Sequence, residues 1–188
     1  LPRYIVADWS DCVRKMLKMT AIALTALPGL AQAAETPCLT SSEFAGVAAY
    51  SLPSVITGTA SRCAATLPAN SYLRSNAPQL AARYAEEKPA AWPVAKAAFL
   101  KISATTDQAA NGVIANLPDP SLQTMMDAVI EGAVSQHIPT ERCATIDALV
   151  RVLAPLPPAN TAELLALAVG IGAQSGKLKT GAFSICPA

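Results

Sequence analysis

Five cysteines and one histidine are the residues of this 188-residue chain with the most chemistry to offer: Cys12, Cys38, Cys63, Cys143, Cys186 and His137. Structural zinc sites place cysteines two to four residues apart, and no pair here has that spacing. A redox Cys-x-x-Cys is missing too, and thiols tied up in disulfides are not nucleophiles. His137 is the sole side chain able to act as the base of a Ser-His-acid triad, with Asp127, Glu131 and Glu141 near it in sequence. No Gly-x-Ser-x-Gly elbow accompanies it. It falls instead at the end of an apolar helical stripe, where an imidazole caps backbone carbonyls and meets the favourable end of the helix dipole. Glu86-Glu87 and Asp127-Glu131 are the visible carboxylate pairs for glycosidase-type chemistry, and both read as solvated helix faces. Gly170-Ile171-Gly172 sits in a helical pattern without the Lys and Ser/Thr of a phosphate loop. No metal, cofactor or catalytic residue is expected.

Ahead of these residues stands an address. Arg14, Lys15 and Lys18 precede an apolar stretch from Ala21 to Leu30 and a small-x-small site at Ala31-Gln32-Ala33, the three parts of a signal peptide over 16–33 cleaved after Ala33. The stretch is shorter than the roughly 20 residues that span a bilayer, so no transmembrane anchor is expected after cleavage. Cys38 follows Glu35-Thr36-Pro37, which is not the small apolar run of a lipid-attachment site. Residues 1–15, with Trp9, Cys12 and two aspartates, read as upstream translated sequence before a start at Met16 or Met19.

The remaining segment, 34–188, holds 155 residues, 10 basic and 11 acidic, and reads as a single domain. That balance excludes bulk phosphate tracking, so nucleic acid is not an expected partner. Without Cys12 the cysteine count is even, which in an oxidising compartment reads as two disulfides. If residues 40–51 and 54–66 are two helices folded back at Pro53, Cys63 returns to Cys38, and a tail then carries Cys186 to Cys143. One continuous helix would instead hold Cys38 and Cys63 roughly 37 Å apart and forbid that bridge. The folded-back pairing, 38 with 63 and 143 with 186, is the expectation.

Helical periodicity must position everything else. Alanine supplies 33 of the 155 residues and is the best helix former. Thr40-Ser41-Ser42-Glu43 is a capping box, and Pro53 opens a second helix. Helices follow over about 70–86, with Pro78 in a first turn, and from Ala90 with Trp92, Ala95, Phe99 and Ile102 on one stripe. After Asp119-Pro120 comes the clearest helix, with Leu122, Met126, Val129 and Ala133 inward and Gln123, Asp127 and Glu131 outward. Another runs near 140–154, with Asp147 and Arg151 spaced to pair. A last one, 161–173, capped by Asn160 and Glu163, is apolar on most faces and belongs at the centre of a core. The reading is an all-α, alanine-rich compact bundle of about six short helices stapled by two disulfides.

Function is read accordingly. The leading expectation is an exported periplasmic or secreted domain, non-enzymatic, that binds a partner protein or an envelope component. The alternative is a carrier of an apolar small molecule between helices, with Trp92, Tyr84, Met125 and Met126 as candidate cleft residues. A hydrolase using His137 is the third reading. An interhelical cavity and the surroundings of His137 discriminate among them.

Overall fold

A capping box starts the first helix as the sequence requires. Thr40 Oγ1 accepts from the Glu43 amide at 3.2 Å, and Glu43 Oε2 accepts from the Thr40 amide at 2.7 Å. The helix, α1 (Ser41–Cys63), does not stop at Pro53 but runs on for 23 residues. Its hydroxyl residues turn inward on their own backbone: Ser51, Thr57 and Thr59 each donate to the carbonyl four residues earlier. These hydroxyls, from the buried Thr59 to the exposed Thr57, are thereby satisfied without outside partners.

In this computed structural model the described residues are 37–106, 108–175 and 183–186, all within the compact unit 34–188. The leader expected over 16–33 and the upstream residues 1–15 lie outside them. After α1 come α2 (Tyr72–Ala85), α3 (Lys88–Thr106), α4 (Gln108–Ala115), α5 (Asp119–His137), a 3-10 turn (Thr140–Arg142), α6 (Cys143–Leu153) and α7 (Pro158–Gln174). Seven α-helices among the described residues make the fold all-α. Two two-residue strands, β1 (Cys38–Leu39) and β2 (Ser184–Ile185), pair in parallel where the ends meet. Strands this short leave no periodicity to read in a sequence.

α1 packs against α2, α3, α5 and α7. On one side Leu52, Ile56 and Cys63 join Leu73, Leu80, Tyr84 and Cys143; on another Tyr50 joins Trp92, Leu122 and Met126. Two glycines permit the closest approaches. A Cβ on Gly58 would lie 2.8 Å from the Glu131 carbonyl oxygen of α5, and one on Gly46 would lie 2.6 Å from Val94 Cγ1 of α3.

The unbroken α1 overturns the expected disulfide pairing. At roughly 1.5 Å per residue it holds its two ends about 35 Å apart, so Cys38 and Cys63 cannot meet. Cys38 bonds Cys186 across the strand pair and Cys63 bonds Cys143, with Cα separations of 4.9 and 5.5 Å. These bridges close intervals of 148 and 80 residues, each contributing on the order of 4 to 5 kcal/mol in the chain-entropy model.

Other expectations also change. α7 is not central: Leu164, Leu167 and Ile171 are exposed, and the centre belongs to α1, whose small residues admit neighbours on several sides. α7 also starts earlier than expected, at Pro158 behind Pro157, with no side-chain cap from Asn160. Pro78 lies inside α2, not in its first turn. On α5 the polar row turns toward α1 through Asp127, while Val129 is exposed. Asp147 makes no ion pair with Arg151; it accepts from the Leu73 amide at 2.7 Å and caps α2 from outside.

The glycine contacts give a matched pair of substitutions. Gly58→Ala should destabilise the oxidised protein by about 1 to 3 kcal/mol, because backbone on α5 must give way. Gly170→Ala, whose added carbon meets nothing within 4 Å, should be neutral or stabilise by up to about 1 kcal/mol. Urea unfolding monitored by circular dichroism measures both; equal effects would contradict the close approach.

Candidate functional site

The Cys63–Cys143 bond anchors the start of α6 against the end of α1. From there α6 runs beside α2, held by two further ties: Asp147 on the α2 N-terminus, and Arg83 of α2 donating to the Ala154 carbonyl at the α6 C-terminus. Pro155 to Pro157 turn the chain into α7, which returns to α1. Four helices thus surround one apolar recess of about 180 Å³. Its aliphatic wall includes Val55 and Ile56 from α1, Leu80 from α2, Leu149 and Leu153 from α6, and Leu165 from α7. Leu149, 55% exposed, stands at the mouth.

Three hydroxyl side chains also line it: Thr59, Tyr84 and Thr161. Thr59 Oγ1 donates to the Val55 carbonyl at 2.6 Å. Tyr84 and Thr161, both buried, share a hydrogen bond of 2.9 Å, and Thr161 Oγ1 reaches the Pro157 carbonyl at 3.3 Å. A second recess of about 490 Å³ runs along α1 and α2 past Thr57, Ser61, Arg74 and Pro78, all exposed. The smaller recess differs from it in being lined mainly by aliphatic side chains of four helices.

The four aromatic and methionine candidates do not share one cleft. Tyr84 lines the 180 Å³ cavity. Trp92 and Met126 are buried in the other cluster, with Met125 packed against it. There the Trp92 and Tyr50 rings lie 5.3 Å apart, and Trp92 Nε1 donates to Asp119 at 2.8 Å. Sequence reasoning missed Thr161 and Leu165. Their spacing of four was a usable signal, since it places a hydroxyl and an apolar residue on one helical face.

His137 ends α5, exposed, with Nδ1 2.8 Å from the Ala133 carbonyl oxygen. Among the described residues no carboxylate or serine hydroxyl hydrogen-bonds to it. The carbonyl contact is the capping role expected from its place in the last turn.

A polar cluster joins α1, α3 and α5. Lys88 Nζ contacts both Asp127 oxygens at 2.7 and 2.5 Å, Ser54 Oγ donates to Asp127 at 3.1 Å, and Lys88 lies 4.4 Å from the Tyr50 ring centroid. Burial pushes the Tyr50 phenol far above its ordinary range, and the Asp127 charge adds to this. Tyr50 therefore remains a donor, toward the Gln123 carbonyl at 3.4 Å. Among the described residues no histidine or second carboxylate hydrogen-bonds to this group, which ties the three helices together. Among the described residues no three His, Cys, Asp or Glu side chains gather as a metal site.

No protein-family model matches the chain, and neither does any curated protein or solved structure.

Two surface carboxyls set an acid limit. The Thr40 amide holds the Glu43 carboxyl below its ordinary value of 4.5, with Lys101 adding to it. The Lys96 and then the Trp92 hydrogen bonds hold Asp119 below 3.8. Depressed folded-state values mean that this stabilisation is present above those ordinary values and is lost as the pH falls through the folded ones. Thermal melts from pH 6 to pH 2.5 should show a decline beginning near pH 4.5. Lys96→Met should flatten part of it, and an unchanged acid limb would contradict the Lys96–Asp119 tie. Asp147→Ala removes the cap on α2 and should cost about 0.5 to 2 kcal/mol, measured by urea unfolding at pH 7.

Proposed function

We propose that this chain is an exported binding protein, periplasmic or secreted, that carries a small apolar molecule in the cavity between α1, α2, α6 and α7. The observation that carries the reading is that cavity, about 180 Å³ and walled mainly by aliphatic side chains. A cavity of roughly 150 Å³ with a similar lining accepts a benzene ring, so the ligand class is a molecule of one ring or an equivalent short branched chain. Export is supported by the leader-like segment at 16–33 and by two disulfides, which persist in oxidising compartments. Among the described residues no helix is long and apolar enough to cross a membrane.

Benzene titrated into the oxidised protein should shift the methyl resonances of Ile146, Leu149 and Leu165 and saturate at one equivalent. Ala154→Leu places three more carbons in the cavity wall and should weaken binding at least tenfold while the helical circular dichroism persists. Unmoved methyls in the unsubstituted protein would contradict the carrier reading.

A second reading, docking of a partner protein's amphipathic helix, is favoured by one specific observation. Leu164, Leu167 and Ile171 follow each other at helical spacing on α7 and are 45%, 63% and 69% exposed. A facing helix reads such a stripe through anchors of the same spacing. Light scattering at rising concentration separates this from self-association: a monomer keeps the stripe free for a partner, and a dimer abolished by Ile171→Glu assigns it to a second copy.

A further inference from the structure

The hydroxyls of the cavity wall fix which polar group a ligand must bring. Thr59 has its proton on the Val55 carbonyl. The Tyr84–Thr161 pair has two possible orders. If Thr161 donated to Tyr84, the Tyr84 proton would have no protein acceptor, since Tyr84 Oη has no hydrogen-bond partner among the described residues other than Thr161. If Tyr84 donates to Thr161, the Thr161 proton goes to the Pro157 carbonyl and both are satisfied. A buried O–H without an acceptor costs about 1 to 3 kcal/mol, so the second order prevails. All three hydroxyl protons are then committed inside the protein, so what these lining hydroxyls have left to offer a ligand is lone pairs only.

Resting on the carrier reading, the geometry points to a ligand class: a one-ring or similarly compact apolar molecule with a single hydrogen-bond donor, an alcohol or phenol, that donates to Tyr84 Oη. Aldehydes, ketones and other acceptor-only molecules of the same size are disfavoured, because their oxygen would face another oxygen across a space with no proton between them. Tyr84 is the specificity-determining residue, and Thr161 acts through it by fixing the direction of its proton.

Cyclohexanol and cyclohexanone share a six-carbon ring and size and differ in the group they present, and benzene presents neither. Titrated into the oxidised full chain and followed by the methyl resonances of the lining residues, cyclohexanol should bind about five- to tenfold more tightly than cyclohexanone, the effect of one net hydrogen bond. Thr161→Val releases the Tyr84 proton into the cavity and should move the preference toward cyclohexanone. Tyr84→Phe with Thr161→Val removes both hydroxyls and should bring the two ligands within twofold, with benzene binding retained. If no ligand moves the methyls, the carrier reading falls and takes this inference with it. If benzene binds while cyclohexanone equals or exceeds cyclohexanol in the unsubstituted protein, the ligand class is wrong and the carrier reading stands. A cyclohexanol preference that survives the double substitution would likewise overturn the role of Tyr84.

Discussion

One helix passing unbroken through Pro53 sets the terms for the rest of the molecule. A proline inside a helix removes one backbone donor and strains the preceding turn, and short helices would have been the cheaper local solution. Here α1 is surrounded by α2, α3, α5 and α7, and burial of its apolar positions outweighs that local cost. Its composition suits the task. Gly46 and Gly58 let neighbouring helices come close, Ser51, Thr57 and Thr59 satisfy themselves on α1 carbonyls, and Ser54 reaches across to Asp127.

The length of α1 then decides the covalent framework and, with it, the cavity. Holding its ends far apart leaves Cys63 to find a partner on α6 and Cys38 to find one at the other end of the chain. The Cys63–Cys143 bridge fixes where α6 begins, Asp147 and Arg83 fix its path along α2, and the proline-rich connector returns α7. The apolar space lies where these four helices meet, lined by residues of α1, α2, α6 and α7.

Much of this was legible in the residues. The capping box at Thr40–Glu43, the boundary at Asp119-Pro120, and the all-helical character follow from local chemistry that the tertiary structure did not override. What sequence periodicity could not supply is which helix takes the centre. α7 is the more continuously apolar and was the natural candidate, yet the close helix approaches are at Gly46 and Gly58 of α1, whereas a Cβ on Gly170 of α7 would meet nothing within 4 Å. The same limit explains Asp127, which looked like a solvated face and in fact ties Ser54 and Lys88 together. Of the residues lining the recess, Tyr84 was legible as an aromatic at helical spacing. Trp92, Met125 and Met126 share that signature but pack with Tyr50 and Leu122, because a stripe alone does not distinguish the wall of a cavity from a filled core.

Low charge acquires a meaning in this arrangement. With little polar chemistry to spare, the described residues use their carboxylates and lysines as ties between helices, as in Lys88–Asp127, Lys96–Asp119 and Lys101–Glu43, and leave the recess to aliphatic residues and three hydroxyls. All of this depends on α1 being one helix whose far end is bonded to α6. Peptide mapping of the unreduced protein tests that claim most directly. The account predicts linked fragments joining Cys63 to Cys143 and Cys38 to Cys186; a fragment joining Cys38 to Cys63 would contradict it.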